Sequence, residues 1–112
     1  MTVVLSQFFY LLCSHFICDY PLQSDFIAVG KNPAKSPYNG VPWFWIMLGH
    51  AFTHGAGVSV VTGSALLGAA ETVAHFFIDV AKCKGYTNIH VDQALHVLCK
   101  IAWLVCIHYG VK

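Results

Sequence analysis

Glu71-Thr72-Val73-Ala74-His75-Phe76-Phe77-Ile78-Asp79 sets an acid, an imidazole and a second acid at every fourth position of an otherwise apolar run. On a helix these three side chains share one stripe. The other faces carry only groups that hydrocarbon accepts, whereas ionisable groups in a membrane must face a partner, a cavity or a metal. The stretch therefore predicts a membrane helix whose polar stripe looks inward at something. Three further segments repeat the spacing, at His15 and Asp19, His50 and His54, and Asp92 and His96.

The composition agrees with that reading. The chain has 112 residues, enough for one domain, and is 57% hydrophobic with only 10% charged residues, where a soluble domain carries about 25%. Too few charges are present to give every helix of a water-soluble bundle a polar outer face. The net charge is +1 with no basic stripe, which argues against nucleic acid as a partner. Cys13, Cys18, Cys83, Cys99 and Cys106 form no CxxC and are odd in number, so they read as reduced thiols, four of them filling apolar helix positions. The N-terminus lacks a basic leader and a small-residue cleavage site, and its His15 and Asp19 would be wasted on a discarded signal. It reads as a retained first span.

The expected architecture is all-α: a four-helix transmembrane bundle in a single integral membrane domain over residues 1–112, with spans at about 2–19, 43–63, 64–81 and 89–109. All four prolines fall between residues 21 and 42, which marks a long first loop. Its first part, Pro21 to Val29, suits a short interfacial helix with Leu22, Phe26 and Ile27 on its buried side. Trp43 and Trp45 open the second span as interfacial anchors. Ala51, Gly55, Ser59 and Gly63 form a small-residue stripe that permits close helix contact. The 20–42 and 82–88 loops fall on one side and hold four of the six lysines. By the positive-inside bias that side is cytoplasmic and both termini lie outside.

Depth ties the pairs together, because a helix rises about 1.5 Å per residue. His15 and Asp19 end the first span; His50 and His54 lie roughly 10 to 16 Å in from Trp43. His75 and Asp79 precede the 82–88 turn, and Asp92 and His96 follow it. All four pairs fall in one half of the membrane, as a single shared site requires. Imidazoles and carboxylates converging from four helices suit a borderline divalent metal, with zinc the leading choice. The predicted ligands are His15, His50, His54, His75, Asp79, Asp92 and His96, with Asp19 or Glu71 as general base. For Glu71 there is an alternative. It and Lys100 both lie roughly 12 Å deeper than the acids flanking the turn, where an ion pair spares each the cost of standing alone. His90 and His108 read as interfacial, Gln23 and Gln93 as capping or outer-sphere amides, Asp25 as a solvated loop charge, and Lys31 and Lys35 as topology signals.

The ordered series His15-x-x-x-Asp19-x-x-Leu22-Gln23, Lys31, His50-x-x-x-His54, His75-Phe-Phe-Ile-Asp79-x-x-Lys82 and Asp92-Gln93-x-x-His96 resembles the domain-of-unknown-function family 3307 of small bacterial and phage membrane proteins. The resemblance covers residues 8 to 100. It implies a helical protein of the bacterial inner membrane with these polar positions as hallmarks, and it supplies no activity.

The function expected from the residues is a membrane-embedded metal-dependent hydrolase acting on a lipid or lipid-linked ester, phosphoester or amide from the cytoplasmic side. The alternatives are a divalent-cation or proton carrier, or a non-enzymatic small membrane modulator whose polar cluster only holds its helices together. A carrier should continue its polar residues to the far side, and only Ser6, Gln7, Ser59, Thr62 and Ser64 are there to do so.

Overall fold

The computed structural model describes residues 2–112, and every regular element among them is helical. The elements are α1 (Thr2–Asp19), α2 (Asp25–Gly30), α3 (Trp43–Thr62), α4 (Ala65–Cys83) and α5 (Ile89–His108). Polar caps set the starts of three of them. Ser24 Oγ accepts from the Ile27 amide, Ser64 Oγ from Leu67, and Asn88 Oδ1 from Val91, each satisfying one of the donors a helix start leaves free. The helix in the first loop is thus Asp25–Gly30, shorter than expected, because the Ser24 cap places its start after Pro21 and Leu22. Leu22 and Phe26 are exposed on the protein surface.

The four long helices form a closed ring of neighbours: α1 packs on α3 and α5, α4 packs on α3 and α5, and α2 lies against α3. Contact between α3 and α4 is the most extensive, and small residues cause it. A Cβ at Gly55 would collide with the Gly68 carbonyl and Thr72, and one at Gly68 with Gly55 and Ser59. Gly63, expected as the fourth member of that stripe, has a different task. It ends α3 in the left-handed region at φ 71°, where a side chain is strained, and it lets α4 begin two residues later.

Burial is inverted relative to a water-soluble domain. Fully buried positions are held mainly by polar side chains, including His15, His50, His54, His75, Asp79, Asp92, His96 and Lys100. Large apolar side chains such as Phe9, Ile17, Phe52, Val60, Leu98 and Ile101 face outward. Three helices, α1, α3 and α5, are long and apolar enough to cross a membrane. The composition of α4 is less apolar because Glu71, Asp79 and Lys82 lie on it. An apolar plug of Leu11, Val58 and Leu67, backed by Trp103, Leu104 and Ile107, fills the end of the ring nearer the chain termini. The polar side chains fill the other end.

Candidate metal centre

Each long helix contributes its i,i+4 pair from the end nearer the 20–42 and 82–88 loops, as the depth argument requires. The pairs meet on the axis. Asp19, His50, His54 and His75 offer ligand atoms that all lie within 4.8 Å of one another. Asp79, Asp92 and His96 form a second such group, and His15, His75 and His96 a third. The first two groups share no residue, so they can hold separate ions. The third borrows His75 from one and His96 from the other, and His15 lies between the two.

The imidazoles crowd as ligands would. The His54 and His75 rings stack with centroids 3.6 Å apart, and the His75 and His96 rings at 4.2 Å. His54 Nε2 donates to Asp19 Oδ1 at 2.8 Å, and His50 Nε2 stands 3.3 Å from the same oxygen. His96 Nε2 donates to Asp79 Oδ1 at 3.2 Å. Among the described residues six buried ligand atoms have no hydrogen-bond partner: His15 Nδ1, His50 Nε2, both ring nitrogens of His75, Asp92 Oδ1 and His96 Nδ1. A buried polar atom without a partner costs about 1 to 3 kcal/mol. Six in one cluster are an open valence that a cation would satisfy.

Charge gives the same answer. Asp19, Glu71, Asp79 and Asp92 face Lys31, Lys82 and Lys100, so with neutral imidazoles one negative charge is uncompensated. Either a proton on an imidazole or a bound cation supplies the difference. The donors are neutral nitrogens and carboxylate oxygens, with no thiolate in any of the three groups, which fits zinc or a metal of similar hardness.

Polar residues frame the centre on two sides. Below it, Lys100 Nζ donates to Glu71 Oε1 and Trp103 Nε1 donates to Glu71 Oε2, both at 2.6 Å. Glu71 and Lys100 therefore meet, and both carboxylate oxygens of Glu71 are taken, although His75 Nδ1 lies 3.5 Å from Oε1. Above it, Gln93 accepts from His15 Nε2 at 3.0 Å and donates to Asp92 Oδ2 at 3.1 Å and Asp19 Oδ2 at 3.4 Å. Of the two roles the sequence left for Gln93, a cap or an amide beside the cluster, the contacts are those of the second.

Lys31 is not the solvated topology charge that its place in a loop suggested. It is buried, and its Nζ donates to Asp79 Oδ2 at 2.6 Å. The cause sits one residue earlier. Gly30 packs so closely on Ile46 and Tyr38 that a Cβ there would overlap both, and this draws the end of α2 onto α3 with Lys31 pointing inward. A glycine directly before a lone lysine was the available signal. His90 and His108 lie on the exposed surface, apart from the cluster.

No curated protein and no solved structure matches the chain. A family model described as "Protein of unknown function (DUF3307)" matches residues 7–111, a span that holds all five helices but the first turns of α1 and every residue of the centre. The chain belongs to that family.

Proposed function

We propose that the protein is a membrane-embedded, metal-dependent hydrolase acting on a lipid or lipid-linked substrate. The observation that carries this reading is the pair of disjoint buried ligand groups, Asp19/His50/His54/His75 and Asp79/Asp92/His96, with unpartnered donor atoms in each. Four donors close a tetrahedral site, whereas three leave a position for water or substrate. Asp79, Asp92 and His96 would hold the divalent ion with the open position, and the chemistry it would supply there is activation of water and polarisation of the scissile group.

The chain's own residues provide the rest. Asp19 is the one cluster carboxylate with appreciable exposure, its side chain 11% accessible. It lines a cleft that opens beside the centre, so it can pass a proton between that cleft and the buried groups. Glu71, with its oxygens held by Lys100 and Trp103, closes the floor beneath the centre instead of exchanging protons itself. Gln93 orients His15 and two carboxylates at once.

The membrane setting rests on the outward apolar surface. Although α4 carries charges, Leu66, Val73 and Phe77 form its outer face and its ionisable groups turn inward. All four long helices can therefore stand in hydrocarbon as one transmembrane bundle. A groove of about 310 Å³ between α2 and α3, lined by Phe26, Ile27, Trp45 and Ile46, reaches His50 from the outer surface. It gives an acyl or prenyl chain a route to the centre. Carriage of ions across the membrane is disfavoured by the same fold, since the Glu71–Lys100 pair and the plug of Leu11, Val58 and Leu67 close the interior below the centre.

The test is elemental analysis of protein purified in detergent without chelators, together with hydrolysis assays on lipid esters, phosphoesters and amides. One or two zinc-class ions per chain and turnover abolished by chelation are expected. A metal-free protein after growth in zinc-replete medium would falsify the reading and leave a purely structural polar cluster.

A further inference from the structure

The cleft beside Asp19 is framed by Gln23, Lys31, Lys82 and Gln93, drawn from the start of the first loop, the end of α2, the end of α4 and the start of α5. It has a volume of about 80 Å³, room for one tetrahedral oxyanion and too little for a sugar or a base. Its two cations are already committed to the centre's carboxylates. Lys31 Nζ bonds Asp79 Oδ2 at 2.6 Å, and Lys82 Nζ stands 3.7 Å from Asp92 Oδ2. Gln23 Oε1 is buried there without a partner, while Gln23 Nε2 donates to the Asp19 carbonyl.

Charge decides what the cleft takes. Without a cation, the cluster of four carboxylates and three lysines is short of positive charge by one. One divalent ion reverses the balance to a surplus of one positive charge, and two ions to a surplus of three. An ion in the Asp79/Asp92/His96 group would occupy Asp79 and Asp92 and release Lys31 and Lys82 from the carboxylates they contact. Two ammonium groups next to a divalent centre in a low-dielectric interior require an anion. A neutral carboxylic ester or amide would leave that surplus uncompensated; a phosphoryl group carries the charge and the oxygen acceptors to neutralise it.

We infer that this cleft binds the phosphoryl group of the substrate, and that the substrate is an anionic phosphoester. The inference rests on the metal-dependent reading above and narrows it. Hydrolysis adds water across the ester: the water oxygen bonds to phosphorus, the bond from phosphorus to the alcohol oxygen breaks, and the water's proton ends on the departing alkoxide by way of Asp19. The products are an alcohol and a phosphate. Lys31 and Lys82 act on the phosphoryl oxygens, so they are substrate-binding residues.

The experiment uses zinc-loaded protein in detergent and inorganic phosphate as the probe, with binding followed by calorimetry and zinc content measured in parallel. Phosphate should bind the loaded protein and fail to bind the chelated one. Lys82, 29% exposed in its side chain, tolerates change better than buried Lys31. Lys82→Met should weaken phosphate by about tenfold or more, the worth of one charge-assisted hydrogen bond, with zinc unchanged, and Lys82→Arg should recover most of the affinity. Phosphatidic acid in mixed micelles and soluble p-nitrophenyl phosphate then separate a lipid headgroup from a free phosphoester, and turnover of either supports the assignment. Full zinc content with no phosphate binding, or phosphate binding indifferent to Lys82→Met, overturns the phosphoryl site and leaves the metal centre standing. Absence of zinc overturns the metal reading itself.

Discussion

His75 has a hydrogen-bond partner at neither ring nitrogen, although it is fully buried and lies 3.4 Å from Asp79 and 3.5 Å from Glu71. An imidazole present only to hold helices together would turn to bond one of those carboxylates well. Instead it stacks between His54 and His96, the place of a ligand common to two groups. His75→Ala should therefore weaken zinc binding by more than about tenfold, the scale seen even for outer-sphere changes, as read by competition with a chromophoric chelator. His108→Ala, at the exposed end of α5, should leave zinc affinity unchanged. At this scale the sequence was legible wherever spacing alone decides a residue's face. All the residues expected as ligands, and Asp19, fall into the three groups. It was not legible for Lys31, whose burial depends on the fit of Gly30 against Ile46 and Tyr38 across two elements. A lone lysine in a loop has no periodicity to reveal which way it points.

Between elements, the α4–α5 contact is pinned by Glu71 with Lys100 and Trp103. Removing one partner of a buried ion pair costs about 3 to 5 kcal/mol, because the other charge is left alone, whereas removing both can be nearly neutral. Glu71→Gln and Lys100→Met should each lower the unfolding midpoint in detergent. The double variant should recover much of the loss, and zinc content should persist in all three. Loss of zinc in Glu71→Gln alone would return Glu71 to the chemistry. The α3–α4 contact depends on space in place of charge. Gly68→Leu forces a side chain against Gly55 and Ser59 and should cost about 1 to 3 kcal/mol or more as overpacking, measurable as the same midpoint shift. The helices themselves were readable from apolar length, whereas the caps Ser64 and Asn88 emerge only from the structure. The start of α2 was not, since Pro21, Leu22 and Ser24 are all acceptable openings and only the cap geometry selects Ser24.

For the whole molecule orientation matters most, because under the proposed function it decides which leaflet would present substrate to the Lys31–Lys82 cleft. The lysine asymmetry looks weaker in three dimensions than along the chain. Lys31 is neutralised inside by Asp79, and Lys100 by Glu71. Lys82 faces Asp92, which leaves Lys35 and Lys84 at the end with the centre, against Lys112 at the other. By the positive-inside bias we propose that the centre's end is the cytoplasmic one. α5 provides a ruler, since Tyr86 just before it is 79% exposed and Tyr109 just after it is 81% exposed. Twenty helical residues between them rise about 30 Å, the thickness of a hydrocarbon core. The two positions should therefore lie on opposite sides of the membrane. In sealed cells an impermeant maleimide should label Tyr109→Cys promptly and reach Tyr86→Cys only after permeabilisation, with the native cysteines replaced by serine or alanine in both. The reverse pattern would put the centre at the outer leaflet and redirect the search for a phosphoester to lipids displayed there. Labelling of both positions in sealed cells would mean that α5 does not cross, and the transmembrane bundle would have to be abandoned.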